Sequence, residues 1–325
     1  MNNLNEIAKK LVAFPKGIMA ADESTETSAK RLPAFGIDPT PEMRQQMYDL
    51  YFSTDRIEKF LSGVILFEET LMQRSPEGIP FPEMLRQKGI EVGIKVDQST
   101  YDNNGERLTK GLESLDERLK DYLKYGASFT KWRAVITIGN NLPTLDNVIK
   151  NAEDLAEYAK ICQENGLVPI PEPEVLLDGN HTIEQAAEVT EQVLTTTITK
   201  CTERNVDLST MIVKSSMVLP GKNSGQKATP KEVAEATVKV LQNSVPKVIP
   251  GIVFLSGGQE ADEATANLRA IAKLGPHPWE VTYSFLRAFQ DPARSAWAGK
   301  DENKDKAQRV FFEVLKKNSE ARIGK

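Results

Sequence analysis

The chain has almost no cysteine or histidine, no long apolar run and no surplus of positive charge, and each shortage removes a class of function. Cys162 and Cys201, the two cysteines, stand too far apart for a metal or redox motif and suit a reducing cytoplasm. The two histidines, His181 and His277, do not share a metal-ligand spacing, so a histidine-rich metal site is not expected and no metal is assigned. No apolar stretch reaches the length of a membrane span. The beginning, MNNLNEIAKKLVAF, lacks a signal-peptide core; the spacing of Leu4, Ile7, Leu11 and Val12 predicts a short amphipathic helix instead. A formal net charge of -5 over 325 residues offers no basic field to nucleic acid or anionic lipid. Neither a G-x-x-x-x-G-K-[ST] phosphate loop nor a G-x-G-x-x-G fingerprint occurs, which excludes nucleotide binding by those devices.

What is present is a series of eight short apolar runs, each followed by a helical or loop segment. They are Gly17 to Asp22, Gly63 to Phe67, Val92 to Val96, Phe129 to Ile136, Leu167 to Glu172, Thr210 to Lys214, Gly251 to Ser256 and Val281 to Phe285. Helix punctuation separates them: Gly166 closes one long helical stretch as a C-cap, and Thr229-Pro230 opens another as N-cap and first-turn proline. Eight strands alternating with helices, without a linker, predict an α/β protein: a single (β/α)8 TIM barrel over residues 1–325, with an N-terminal helix, a short C-terminal helix and no long tail. An open doubly wound sheet is the competing architecture, but it usually carries a glycine-rich nucleotide turn.

Several of these runs carry charge near their C-terminal ends, where the barrel reading places reactive groups. VGIKV holds Lys95, FTKWRAVI holds Lys131, LVPIPEPE holds Glu172 and Glu174, and MIVKSS holds Lys214. A charge in a strand buried on both faces costs several kcal/mol unless it is paired or titrates. These charges therefore point to one shared polar site. Lys214 is the leading nucleophile: an amine attacks a carbonyl only when neutral, which needs its pKa brought from about 10.4 toward roughly 7–8. Burial and a neighbouring ammonium, for which Lys131 is the candidate, act in that direction. Alternation places Glu172 and Glu174 on one face, one to move protons and the other to pair with a cation; Glu174 reads as the pairing residue. Asp22, closing GIMAAD, is a third carboxylate. A salt-bridged barrel mouth without catalysis is the competing reading of each charge taken alone.

Phosphate-binding candidates lie in the last two βα units. Ser256, Gly257 and Gly258 form a glycine turn whose amides can curl round an anion, and Arg287 beyond the eighth strand adds a charge-assisted fork. ADESTETSAKRL, where Ser24, Thr27, Lys30 and Arg31 follow the first strand, reads either as a second anionic pocket at the positive end of a helix or as an N-capped surface helix. Trp132, Trp279 and Trp297 read as packing residues, Cys162 as a small core residue, and His181, in a D-G-N-H loop, as solvated.

Taken together, GIMAADEST, GVILFEETL, GIKVD, FTKWRAVI, VPIPEPEVLLDG, IVKSSMVLPG, FLSGGQ and SAWAGKDEN resemble the Schiff-base (class I) fructose-bisphosphate aldolases over most of the chain. The resemblance implies a cytoplasmic lyase of glycolysis and gluconeogenesis that cleaves fructose 1,6-bisphosphate without a cofactor. Its partner is the phosphorylated sugar, with neither nucleic acid nor membrane, and it assembles as a homotetramer. Position by position it implies that Lys214 forms the imine and that Glu172 serves imine formation and hydrolysis, with Lys131 beside it. Asp22 would take the C4 hydroxyl proton, with Lys95 and Arg133 near the sugar. One phosphate would meet Ser256, Gly257, Gly258, Ser284 and Arg287; the other would meet Ser24, Thr27 and Arg31, with Lys30 near. Three departures accompany the likeness. The sequence stops at ARIGK, where animal and plant members commonly continue to a terminal tyrosine. Ser215-Ser216 replaces a common Pro-Asn pair, and Leu286 stands where glycine is usual. Another lysine-imine barrel such as a transaldolase, or a non-catalytic scaffold barrel, are the alternative readings.

Overall fold

The computed structural model describes residues 3–325. Its strands are β1 (Gly17–Ala21), β2 (Leu61–Leu66), β3 (Glu91–Lys95), β4 (Thr100–Asn103), β5 (Glu106–Thr109), β6 (Phe129–Ile136), β7 (Val168–Val175), β8 (Ile212–Ser215), β9 (Gly251–Phe254) and β10 (Glu280–Phe285). The helices are α1 (Leu4–Leu11), α2 (Thr25–Arg31), α3 (Pro41–Ser53), α4 (Glu68–Met72), α5 (Phe81–Gln87) and α6 (Leu115–Lys124). They continue as α7 (Leu145–Glu164), α8 (Ile183–Glu203), α9 (Pro230–Ser244), α10 (Ala261–Lys273), α11 (Arg287–Trp297) and α12 (Lys304–Arg322).

Eight strands pair in parallel in the order β7-β6-β3-β2-β1-β10-β9-β8, the nearly closed barrel that the alternating runs predict. All eight apolar runs are strands of this sheet, their ends displaced by no more than three residues and Phe129–Ile136 matched at both. The ladder is open only between its outermost members, β7 and β8. Side chains span that seam: Ser216 Oγ donates to the Val175 carbonyl at 3.0 Å, and Lys214 meets Glu172.

Two apolar layers hold the barrel. Inside its lower end, Ile18, Ile65, Phe129, Val168, Ile170, Ile212 and Val253 pack on Ala8, Leu11 and Val12, at and just beyond the end of α1. Each fully buried aliphatic or aromatic side chain contributes about 1.5–3 kcal/mol. Glycines let the layers meet: a Cβ on Gly93 would lie 2.3 Å from the Phe129 ring. The second layer packs the outward strand faces against the helices. Local signals place those helices: Thr182 and Thr229 close capping boxes with Gln185 and Glu232, and Gly166 follows α7 at φ +74°.

Two elements differ from expectation. The terminal helix is not short: α12 runs for 19 residues, and its buried Arg322 donates to the carbonyls of Val12 at 2.6 Å and Ala13 at 2.9 Å. Between β3 and β6 lies the antiparallel hairpin β4–β5, turned by Asn104 and Gly105 at φ +55° and +85°. An Asn-Gly pair is the strongest short hairpin signal in a sequence, and it was there to be read. The hairpin braces β6, with Thr109 Oγ1 donating to the Arg133 carbonyl at 2.9 Å.

Candidate active site

The upper, C-terminal ends of the strands open into a cleft of about 660 Å³. Lys131 is its electrostatic hub. Buried at 3% exposure on β6, its Nζ lies 2.5 Å from Asp22 Oδ2, 3.1 Å from Glu172 Oε2 and 3.9 Å from Asp97 Oδ2. Glu172, on β7, uses its other oxygen toward β8: Oε1 lies 3.0 Å from Lys214 Nζ. Asp97 in turn holds Lys95 at 2.6 Å and accepts the Arg133 amide at 3.3 Å. Arg133 pairs through Nε with Glu174.

Four cations and four carboxylates thus alternate across β1, β3, β6, β7 and β8, which explains how strands tolerate them: each charge has an opposite neighbour. The titrations follow. Burial by itself pushes the Asp22 carboxyl up, but the Lys131 and Lys214 ammoniums outweigh it and hold the pKa at about 2. Glu172 is also held below the ordinary carboxylate value; burial opposes, and the same two lysines prevail. Burial works against charge on Lys131 too, yet Asp22, Glu172 and Asp97 keep that ammonium protonated well above its usual range.

At one shoulder of the cleft, β1 leads into α2, whose N-cap Ser24 accepts the Thr27 amide at 3.3 Å. Ser24, Thr27 and Arg31 face the cleft. Lys30 does not line it and is exposed on α2, because it lies one position from Arg31 and therefore on another side of the helix. Arg31 is engaged: it pairs with Glu23 and reaches Asp291 through two bonds of 2.7 and 2.8 Å. Glu23 also accepts from Arg294, wholly buried, at 2.7 Å. Gln290, which accepts from the same guanidinium, donates to the Ala20 carbonyl at 2.8 Å. This network ties α11 to the end of β1, next to Asp22.

The opposite shoulder is the turn after β9. Gly257 and Gly258 take φ of +53° and +92°, values that glycine adopts without strain. Ser256, Ser284 and Arg287 border the same end of the cleft. The Ser284 hydroxyl is buried and has no hydrogen-bond partner among the described residues.

The cleft therefore gathers the candidate residues read from the sequence except Lys30 and Gly258, the latter standing one position beyond the lining residue Gly257. Asp97, Glu23 and Arg294 were missed. Asp97 follows the Lys95 strand directly, and a carboxylate beside a buried lysine was the available signal. Arg294, in an amphipathic helix, carried none. His181 is not solvated: it is buried at 3% exposure, and burial lowers its pKa. The three tryptophans and Cys162 are buried, as expected. A larger groove of about 890 Å³ lies outside the barrel between α8 and α9, but it lacks facing buried charges, so the cleft is the candidate site.

A family model for class-I fructose-bisphosphate aldolases matches residues 3–325. The chain belongs to that family. It is 47% identical over 313 residues to cytosolic fructose-bisphosphate aldolase 4 of Arabidopsis thaliana, covering 95% of this chain and 80% of the relative. Identity is 45% over 329 residues to a probable class 1 aldolase of Xylella fastidiosa, covering 100% and 98%. A solved Plasmodium falciparum fructose-bisphosphate aldolase, in complex with TRAP and a small-molecule inhibitor, superposes with a TM-score of 0.97 at 44% identity, covering 99% of this chain and 94% of that one. No described helix of this aldolase is long and apolar enough to cross a membrane.

Proposed function

We propose that this aldolase reversibly cleaves fructose 1,6-bisphosphate into dihydroxyacetone phosphate and glyceraldehyde 3-phosphate through an imine on Lys214. The observation that carries the assignment is a buried amine at a strand end, 3.0 Å from a carboxylate that also contacts a second buried lysine. A carbonyl carbon entering the cleft above β8 meets Lys214 as nucleophile. Glu172 is ionised at rest, so it starts as a proton acceptor; once protonated it donates to the carbinolamine hydroxyl, which leaves as water. The iminium then draws the C3–C4 bonding pair, forming an enamine while the C4 hydroxyl proton passes to Asp22 as the aldehyde forms. Protonation of the enamine carbon and addition of water release the ketone and restore the amine. Lys131 keeps Asp22 and Glu172 ionised and in place, and Glu174 anchors Arg133 at the rim. Ser256, Gly257, Gly258, Ser284 and Arg287 would hold the phosphate nearer the imine, and Ser24, Thr27 and Arg31 the other, with Arg31 exchanging its carboxylate partners for phosphate.

Borohydride reduction with substrate should fix a three-carbon adduct on Lys214, absent in Lys214→Met. Adduct on another residue, or none with activity lost to a chelator, would overturn the imine. A transaldolase would instead require an acceptor aldose for turnover. We further propose a cytoplasmic homotetramer, for which light scattering of the purified protein is the measurement; a monomer at micromolar concentration would contradict it.

A further inference from the structure

We propose that Lys222 is an additional ligand for the phosphate nearer the imine, closing the site opposite Arg287; this rests on the aldolase reading above. The loop after β8 carries Lys222 to the turn after β9. A Cβ placed on Gly258 would lie 2.8 Å from Lys222 Nζ and 3.3 Å from Arg287 Nη2. An ammonium and a guanidinium therefore converge on one point beside the turn. Like charges at such range repel unless an anion lies between them. Among the described residues neither side chain forms an ion pair or a hydrogen bond, so the protein itself provides no such anion.

Other polar groups at that end of the cleft are also left unsatisfied. The amides of Gly257 and Gly258 donate to no carbonyl among the described residues, and the buried Ser284 hydroxyl has no partner. Two positive-φ glycines in succession make a left-handed turn, closed by the Gln259 amide on the Ser256 carbonyl at 2.9 Å, whose adjacent free amides can meet an anion. Two cations, two free amides and one free hydroxyl match the acceptor capacity of a phosphate.

The base of Lys222 is fixed although its side chain is exposed. The amides of Gly221, Lys222 and Asn223 donate to the carbonyls of His181, Leu177 and Gly179 at 2.8, 2.9 and 2.8 Å. The fit admits only glycine at 221, where a Cβ would lie 2.5 Å from the Gly179 carbonyl oxygen. The loop carrying Lys222 is thus clamped to the segment after β7, and buried His181 is part of that clamp. The choice of phosphate follows from the register. Lys214 pairs with Val253, and the Leu255 amide donates to the Ser215 carbonyl at 3.0 Å. The turn therefore stands beside the imine nitrogen, at the C1 end of the sugar.

The test is steady-state kinetics of Lys222→Met and Lys222→Arg with fructose 1,6-bisphosphate and with a ketose bearing phosphate only on C1, with inorganic phosphate as competitive inhibitor. Loss of one charge-assisted contact at an open site should raise KM for both sugars and Ki for phosphate about five- to thirtyfold. The kcat should change less than about twofold, the arginine variant should recover most of the affinity, and the melting temperature should not move. Unchanged KM and Ki in the methionine variant would overturn the proposal, as would a rise confined to the bisphosphate, which assigns Lys222 to the other phosphate. If the parent enzyme formed no borohydride-trapped imine, the aldolase reading would fail instead, whatever Lys222 did.

Discussion

Replacing Lys131 by methionine keeps most of the length and the apolar stem of the side chain and removes its charged end, which makes it the sharpest probe of the hub. The three carboxylates Asp22, Asp97 and Glu172 are offset by Lys95, Lys131 and Lys214, so the variant carries an uncompensated negative charge in a buried cluster. In the parent, Asp22 is depressed from an ordinary 3.8 to about 2. That difference corresponds to about 2.5 kcal/mol of stability at neutral pH, present above pH 3.8 and lost as pH falls through about 2. In Lys131→Met the strongest influence lowering Asp22 is gone, and burial then raises its folded-state pKa above the unfolded value. The penalty therefore grows as pH rises from about 4 to 7, opposite in sign to the parent's dependence. Breaking a buried pair typically costs about 3–5 kcal/mol, so urea unfolding at pH 7.5 should show a loss of that size and a clearly smaller loss at pH 4.5. Turnover should fall about 10²–10⁴-fold, because the carboxylates are no longer held in their working ionisation state. A variant within about 1 kcal/mol of the parent at pH 7.5, or one whose deficit shrinks as pH rises, would refute the assignment of Lys131 as the hub.

Arg294→Met strips Glu23 of one donor in a wholly buried position and should destabilise by about 3–5 kcal/mol. Adding Asp291→Asn should restore part of that by rebalancing charge, a coupling that a double-mutant cycle in urea measures. Asp154→Asn on α7 should raise the melting temperature at pH 7–8 by an amount worth less than about 1 kcal/mol after screening. Burial, followed by repulsion from Glu153, raises Asp154 from 3.8 to about 6, so the gain should vanish below pH 4. Gly93→Ala drives a methyl into the Phe129 ring and should cost about 1–3 kcal/mol by overpacking; an unchanged melting temperature would show that the barrel floor yields more readily than its packing implies.

The barrel and most of the site were legible because burial of charge is costly and therefore conspicuous. Lys95, Lys131, Glu172 and Lys214 stood in strand patterns that otherwise admit only apolar residues, and the cleft unites them. Which carboxylate answers which lysine was not legible. Partner choice depends on how neighbouring strands register, and Asp97, just outside its strand, reads locally as an ordinary loop acid. Arg294 was hidden for the converse reason: a helix with a strong polar face offers no local sign that one of its cations is turned inward. Lys222 belongs to a loop whose path is set by amides reaching across to another loop, a constraint absent from residue spacing. His181 was misread because a D-G-N-H segment looks like exposed turn chemistry, whereas here it is a strut. Lys30 and Arg31 were equivalent in composition, and only the helical rotation between adjacent positions separates them.

The seating of α1 against Phe129, Ile170 and Val253 makes the barrel a vessel with a sealed base. Traffic to and from Lys214, the proposed imine lysine, must then use the opening above the strands, so reactants and products share one doorway. A three-carbon unit tethered at depth cannot drain out underneath, and its aldehyde co-product has to clear the entrance before water or a new aldehyde can reach the bound fragment. The order in which the two halves of the sugar depart is to that extent written into the plug at the bottom.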